Sequence, residues 1–311
     1  MSKRTIRCIT FSKQWHTTKV LLAALAIASA TLLAPGSARA GIMRYVAIGS
    51  ALSASHAYAK HRGGVSAQVA PNPATASLGP TDGDICKAHL PMGTSPKLDN
   101  PKWADGLTVL CFSEYTVAFS PKTKTALWSA EYLTRARLDS ARTFKRRNTF
   151  HEEPLLPVQA RSTLKDYVRS GYDRGHLSPS GDASNPASQN ETFSLANIVP
   201  QEPNNNRHVW QSIESGSRNY VKEHGALNVI TGPLFIGAKI SFINDRVAVP
   251  THLWKLVYDP VKKSGGVFLV QNIDTKDINW QSIAEFEQFS GYRFNLGRPA
   301  VMQMPPPRQH F

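Results

Sequence analysis

Tyr172-Asp173-Arg174-Gly175-His176-Leu177-Ser178-Pro179 is the stretch on which the reading of this chain turns. It sets an acid, a cation, a glycine and an imidazole side by side, and about thirty residues later Asn206 opens a helical pattern that also carries Glu214 and Arg218. These residue types suit phosphodiester cleavage. A neutral imidazole accepts a proton from water near neutral pH, where carboxylates are too weakly basic and lysines are already protonated. A carboxamide oxygen ligates a hard cation, and arginines hold phosphate oxygens. At about 3.6 residues per turn, Asn206, Trp210, Glu214 and Arg218 drift only about 120° over three steps of four, so one helix face can carry them all.

Working outward, the helix is expected from Asn205 or Asn206 to about Glu223, stopping before Gly225, with Val209, Ile213, Tyr220 and Val221 as its apolar stripe. Ser178 to Glu191 is rich in small polar residues and proline and reads as loop. Upstream, Leu107 to Phe112 and Tyr115 to Phe119 read as strands, followed by a polar turn from Ser120 to Lys124 and a resumed strand at Ala126-Leu127-Trp128. Residues 134 to 153 read as a charged loop, whose arginines either line a groove or form a solvated face. Downstream, Leu227 to Thr231 before Gly232-Pro233, then Val247 to Val249, Leu253 to Tyr258 and Val267 to Gln271, are further strand candidates. Ser282 to Phe289 is a short amphipathic helix, and residues 299–311 form a Pro-rich tail with no packing pattern. The pattern predicts an α+β fold with a central, largely antiparallel sheet flanked by helices. No internal repeat is evident.

The chain begins as an export signal. Lys3, Arg4, Arg7, Lys13 and Lys19 precede the apolar run Val20 to Ala34, and Ala38-Arg39-Ala40 is a cleavage motif of small residues. At fifteen residues the apolar run is short for a membrane span. Cleavage after Ala40 or after Ala59 is open. Residues 1–40 are thus assigned to a signal peptide, 41–82 to a flexible leader, 83–298 to the folded domain and 299–311 to the tail. This points to a secreted or periplasmic protein without stable membrane association. Removing residues 1–40 takes the net charge from +14 to +8, because it removes six Lys/Arg and no Asp/Glu. A basic balance favours polyanionic partners, although on charge alone a basic soluble surface explains it equally well. Cys8 leaves with the signal, and Cys86 and Cys111 remain. In an oxidising compartment they read as one disulfide, the alternative being two buried thiols.

The run Tyr172 to Pro179, with Asn197-Ile198-Val199-Pro200-Gln201 and then Asn206, Trp210, Glu214 and Arg218 at their spacings, resembles the signature of the DNA/RNA non-specific endonuclease family. Upstream Arg147-Asn148 before Pro154-Leu155-Leu156-Pro157 adds to the likeness, which runs from about Cys86 to Leu296. The resemblance implies a ββα-metal motif, His176 as general base, and Asn206 as ligand of one divalent cation, Mg²⁺ with Mn²⁺ able to substitute. It implies phosphate clamps at Arg174, Arg218 and Arg147, with Arg146 as the neighbouring choice for the last. Glu214 falls near the metal's water shell, and Asp173 in a supporting role. An N-cap role for Asn206 and an ion pair between Glu214 and Arg218 remain structural alternatives. Ser178 and Ser180 lack the Gly-x-Ser-x-Gly elbow of acyl transfer. The implied activity is cleavage of DNA and RNA to 5′-phosphate ends, by a monomer or a homodimer. The rivals are a nucleic-acid-binding protein without catalysis and a phosphodiesterase for small nucleotides.

Overall fold

The computed structural model describes residues 83–99 and 101–304, all within one compact unit spanning Gln68–Phe311. The expected signal peptide, the expected leader and the last seven residues of the expected tail lie outside the described residues. In chain order the elements are α1 (Gly83–Ala88), β1 (Lys97–Leu98), α2 (Pro101–Ala104), β2 (Thr108–Cys111), β3 (Tyr115–Ser120), β4 (Thr125–Thr134) and α3 (Arg135–Ala141). Then come β5 (Asp173–His176), α4 (Pro186–Thr192), β6 (Ile198–Gln201), a π-helical stretch Asn205–Trp210 and α5 (Gln211–His224). The remainder is β7 (Ala226–Leu234), β8 (Phe242–Ile243), β9 (Val247–Ala248), β10 (His252–Asp259), β11 (Ser264–Gln271), β12 (Asn279–Gln281), α6 (Ile283–Ser290), β13 (Tyr292–Arg293) and β14 (Ala300–Val301).

The main sheet runs β12-β11-β10-β7-β4-β3-β2, each neighbour antiparallel, with β14 added parallel to β11. Its two faces carry separate apolar clusters. Val117, Leu133, Val229 and Val257 pack with Val209, Ile213 and Val221 of the π-α5 helix, whereas Ala118, Ala130, Ile230 and Trp254 pack with Phe286 of α6 and with Tyr292 and Phe294. Because both faces are covered, β3, β7 and β10 are buried almost throughout instead of alternating in and out. Antiparallel sheets often leave one face to water; this one does not. Cys86 and Cys111 are bonded, tying α1 to β2 across a Cα–Cα distance of 5.5 Å.

The expected hairpin, the helix with its Val209, Ile213, Tyr220 and Val221 stripe, and the stop at Gly225 (φ 104°) are all present. Four local expectations need correction. The charged segment after Thr134 is not all loop: Thr134 caps α3 by accepting from Arg137 N at 3.2 Å, and Arg137 turns inward to Glu131 (2.9 Å) and Glu114 (3.3 Å). Between Ser178 and Glu191, Asn185 caps α4 and Pro186 begins it, the pairing that starts helices well. Strand β7 does not end at Thr231 but runs through Gly232-Pro233, which pair with Trp254 and Leu253 of β10; glycine suits position 232 because a Cβ there would come within 2.6 Å of the Trp254 ring. The tail packs as far as Met302, since β14 takes the edge of β11 beyond the β12 pairing and Met302 N donates to Gly265 O at 2.9 Å.

Candidate active site

The ribbon β5–β6 pairs Asp173 with Gln201, Arg174 with Pro200, Gly175 with Val199 and His176 with Ile198, and leads into the π-α5 helix. Glycine is required in this ribbon. A Cβ on Gly175 would lie 2.1 Å from Gln201 Oε1, and Gln201 is fully buried, donating through Nε2 to Asn205 Oδ1 at 2.9 Å. Asn205 in turn donates to Gln271 O at 2.8 Å, so the ribbon and the helix start are locked to β11. Buried Asn197 holds the backbone after His176, accepting from Ser178 N (3.0 Å) and donating to Ser178 O (2.8 Å) and Thr192 O (2.9 Å). Ser178 Oγ is spent on Ser129 Oγ at 2.8 Å, which leaves it a structural residue.

A cleft of about 630 Å³ gathers His176, Arg174, Asn206, Glu214 and Arg218, together with Asp173, Arg146, Arg207 and Gln189. The π-helical winding matters here. Trp210 does not share the functional face; it is buried, with Lys255 Nζ 5.5 Å from its ring centroid, while Asn206 and Glu214 keep to the cleft. Single π-type turns inside helices re-aim side chains and are frequent at functional sites. Arg147 lies outside the cleft and lines the pocket beside it; Arg146 occupies the cleft instead.

His176 packs against two rings that also touch each other, Phe150 and Phe193 at 4.8 Å. Phe193 lies perpendicular to the imidazole at 4.9 Å, Phe150 is tilted at 5.3 Å, and Arg146 and Arg174 lie over Phe193 and Phe150 at 5.2 and 4.2 Å. Burial, and then the charges of Arg146 and Arg174, push the imidazole pKa down to about 3, so the ring is neutral at physiological pH. Nε2 is buried with no hydrogen-bond partner, which leaves Nδ1 as the ring nitrogen with access to the cleft.

Asn206 caps nothing. Its Nδ2 donates to Asp173 Oδ2 at 3.0 Å, while Glu202 accepts from Asn205 N (2.7 Å) at the helix start. Asp173 is itself gripped by a two-pronged Arg207, Nε to Oδ2 at 2.8 Å and Nη2 to Oδ1 at 2.7 Å. With its nitrogen end committed to Asp173, the Asn206 amide has its oxygen as the remaining polar atom of a side chain that lines the cleft. Glu214 and Arg218 pair at 3.4 Å, and Arg218 Nε also donates to Asp182 Oδ1. Burial raises the Glu214 pKa, opposed by Arg218 and Lys255. Burial works against the Arg218 charge, but Asp182 and Glu214 outweigh it and hold the guanidinium pKa above its ordinary value. Beneath this pair, burial with help from Asp182 lifts buried Glu131 to about 8 against the pull of Arg137.

A two-stranded ribbon feeding a helix across a cleft lined by imidazole, carboxamide and guanidinium groups is the arrangement of the ββα-metal nucleases. The chain belongs to the DNA/RNA non-specific endonuclease family, whose sequence model matches residues 98–300. Among its relatives, Nuclease C1 of Cunninghamella echinulata var. echinulata is 36% identical over 201 residues, covering 58% of this chain and 79% of that one. Mitochondrial endonuclease G of Homo sapiens is 34% identical over 156 residues, covering 46% of this chain and 52% of that one, so the match spans about half the length of that relative. A chain of the solved EndoG/EndoGI complex, a structure that addresses the mechanism of EndoG inhibition, superposes with a TM-score of 0.54 at 26% identity, covering 60% of this chain and 84% of that one.

Asp182, Glu131, Lys255 and Gln201 support the site and were not singled out from the sequence as functional residues. Arg207 and Gln189 were missed too. Arg207 had one available signal, its place directly after Asn206.

Proposed function

We propose that this chain is an exported, metal-dependent endonuclease that hydrolyses phosphodiester bonds of DNA and RNA with little sequence preference and leaves 5′-phosphate ends. One observation carries the reading: His176, Arg174, Asn206, Glu214 and Arg218 line a single cleft. The donor set fits Mg²⁺, with Mn²⁺ able to replace it. Mg²⁺ keeps several waters and uses few protein oxygens. The cleft offers such oxygens from Asn206 and Glu214, and among the described residues no group of three or more His, Cys, Asp or Glu forms a fuller cage. Asn206 would hold the cation and Glu214 would orient its waters. When bound, the cation supplies Lewis-acid stabilisation of the charge that grows on the phosphate and the leaving oxygen.

The chain's own residues do the rest. His176 Nδ1 takes the proton of the attacking water once the anionic phosphate offsets the charges of Arg146 and Arg174 that depress its basicity in the free protein, and the unpartnered Nε2 carries the other proton of the resulting imidazolium. Arg174 and Arg146, anchored over Phe150 and Phe193, face the phosphate from beside the imidazole. Arg218 meets it from the helix, with Nη1 free of protein acceptors among the described residues. Contacts of this kind address the backbone and ignore base identity, which is why little sequence preference follows.

Supercoiled plasmid and a structured RNA, each incubated with purified protein and Mg²⁺, should both be degraded, and chelator should stop the loss. Gel retardation of plasmid without metal-dependent loss would instead make the protein a binder. Cleavage of a chromogenic diester with plasmid untouched would make it a small-nucleotide phosphodiesterase. Light scattering on the same preparation separates monomer from homodimer.

A further inference from the structure

Beside the cleft lies a second pocket of about 500 Å³, and Phe144 and Gln189 line both, so the two share a wall. Its other lining residues include Lys145, Arg147 and Pro186, and no carboxylate lines it. Neither the Lys145 nor the Arg147 side chain has an acidic partner among the described residues, in contrast to Arg137, Arg161, Arg207, Arg218, Arg246 and Arg293. The backbone here is held in place: Arg147 N donates to Gln189 Oε1 at 2.9 Å, and Gln189 itself is nearly buried on α4. Adjacent arginines are thereby divided, Arg146 facing the cleft and Arg147 the neighbouring pocket.

We infer that this pocket is a subsite for the nucleotide next to the scissile phosphate on the same strand, with Lys145 and Arg147 meeting its phosphate and the Phe144 ring and Pro186 giving a surface for its base. The inference rests on the proposed nuclease reading of the cleft. Unpaired cations beside a half-buried ring that lines a pocket are elements with which proteins bind single strands regardless of sequence, the cations tracking phosphates and the ring stacking on any base. A strand whose scissile phosphate occupies the cleft must pass along a wall of that cleft, and the wall made by Phe144 and Gln189 opens onto this pocket. The subsite gives the protein a reason to prefer a polymer over a small diester.

The test measures binding in chelator by fluorescence anisotropy, using a labelled thymidine dinucleotide and the corresponding hexanucleotide. The wild-type protein should bind the longer strand at least about tenfold more tightly, from the phosphate contacts and the stacking together. In K145A/R147A that gain should shrink to below about threefold, and the salt dependence for the hexanucleotide should weaken by about 1.4 in log–log slope, two cations at roughly 0.7 each. Phe144→Ala should lose part of the same gain without changing the slope. Lys145 and Arg147 are exposed, so their removal leaves the fold in place, which a circular dichroism melt verifies. A double variant with the wild-type length gain and salt slope overturns the proposal. Plasmid cleavage with Mg²⁺ by the wild-type protein scores the nuclease reading separately.

Discussion

Replacing Asp182 with asparagine should loosen the helix that carries half the cleft. Asp182 is 4% exposed at its side chain and is the acceptor for Arg218 Nε, while the Arg218 side chain is 21% exposed and keeps Glu214 at 3.4 Å. Removing one partner of a fully buried pair costs about 3–5 kcal/mol. The partial exposure of Arg218 and its remaining carboxylate reduce this to roughly 2 kcal/mol. For a domain of this size each kcal/mol moves Tm by about 2–4 °C, so the melting temperature should fall by ~4–8 °C. A double-mutant cycle with Arg218→Met should return most of that value as coupling, because the asparagine then has no charge to abandon. Activity should fall as well, by about tenfold in kcat/KM, since Arg218 loses the contact that aims it. Calorimetry of the three variants beside wild type is the assay. A Tm for Asp182→Asn within about 1 °C of wild type, or a coupling near zero, would refute the account of how Arg218 is held.

Further expectations concern the imidazole, the amide and the disulfide. With His176 pushed down to about 3, kcat/KM should lack an acid limb centred near 6.5 and stay level between about pH 7.5 and 5.5; a midpoint at the ordinary histidine value would contradict the burial argument. The linked stability has the same sign: this depressed group contributes fully above about 6.5, and its contribution is lost as pH falls toward about 3, a slope that His176→Phe should remove from the unfolding free energy. Arg207→Ala should weaken Mn²⁺ binding, followed by electron paramagnetic resonance of the protein, by about tenfold through the loss of the grip on Asp173 and Asn206. The melting temperature should hardly move, because Arg207 is 62% exposed. Reducing Cys86–Cys111, which closes a separation of 25 residues, should cost about 3 kcal/mol in a chemical unfolding curve, and an unchanged curve would show that the bond does not constrain the unfolded chain.

What was legible in the sequence is what lies close along the chain. The carboxamide, Glu214 and Arg218 sit on one helix, so their spacing aligns them, and the family resemblance is what joins His176 of the ribbon to that face. The hairpin of β2, β3 and β4 follows from its apolar runs and the turn between Ser120 and Lys124. The supports were not legible, because they come from elsewhere. Arg137 looks like a surface cation until β4 and β3 bring Glu131 and Glu114 beneath it. Lys255 reads as an ordinary strand residue, yet it is buried and donates to Thr231 across the sheet at 2.6 Å. Gly232-Pro233 carries the marks of a turn, and it is the pairing with β10, with the Trp254 ring over Gly232, that continues the strand through it. Helical spacing put Trp210 on the face of Asn206, whereas the π-helical start turns it into the core. That Arg146 lines the cleft and Arg147 the pocket beside it could not be read from the sequence, since neighbours in a loop carry no period.

Replacing His176 with alanine tests the central claim most directly, with plasmid cleavage followed at pH 7.5 and saturating Mg²⁺. The account expects the rate to fall by about 10²- to 10⁴-fold, the usual contribution of a positioned general base, with plasmid binding in chelator retained. Turnover of His176→Ala at the wild-type rate would mean that another group activates the water, and the chemistry assigned to this cleft would be wrong.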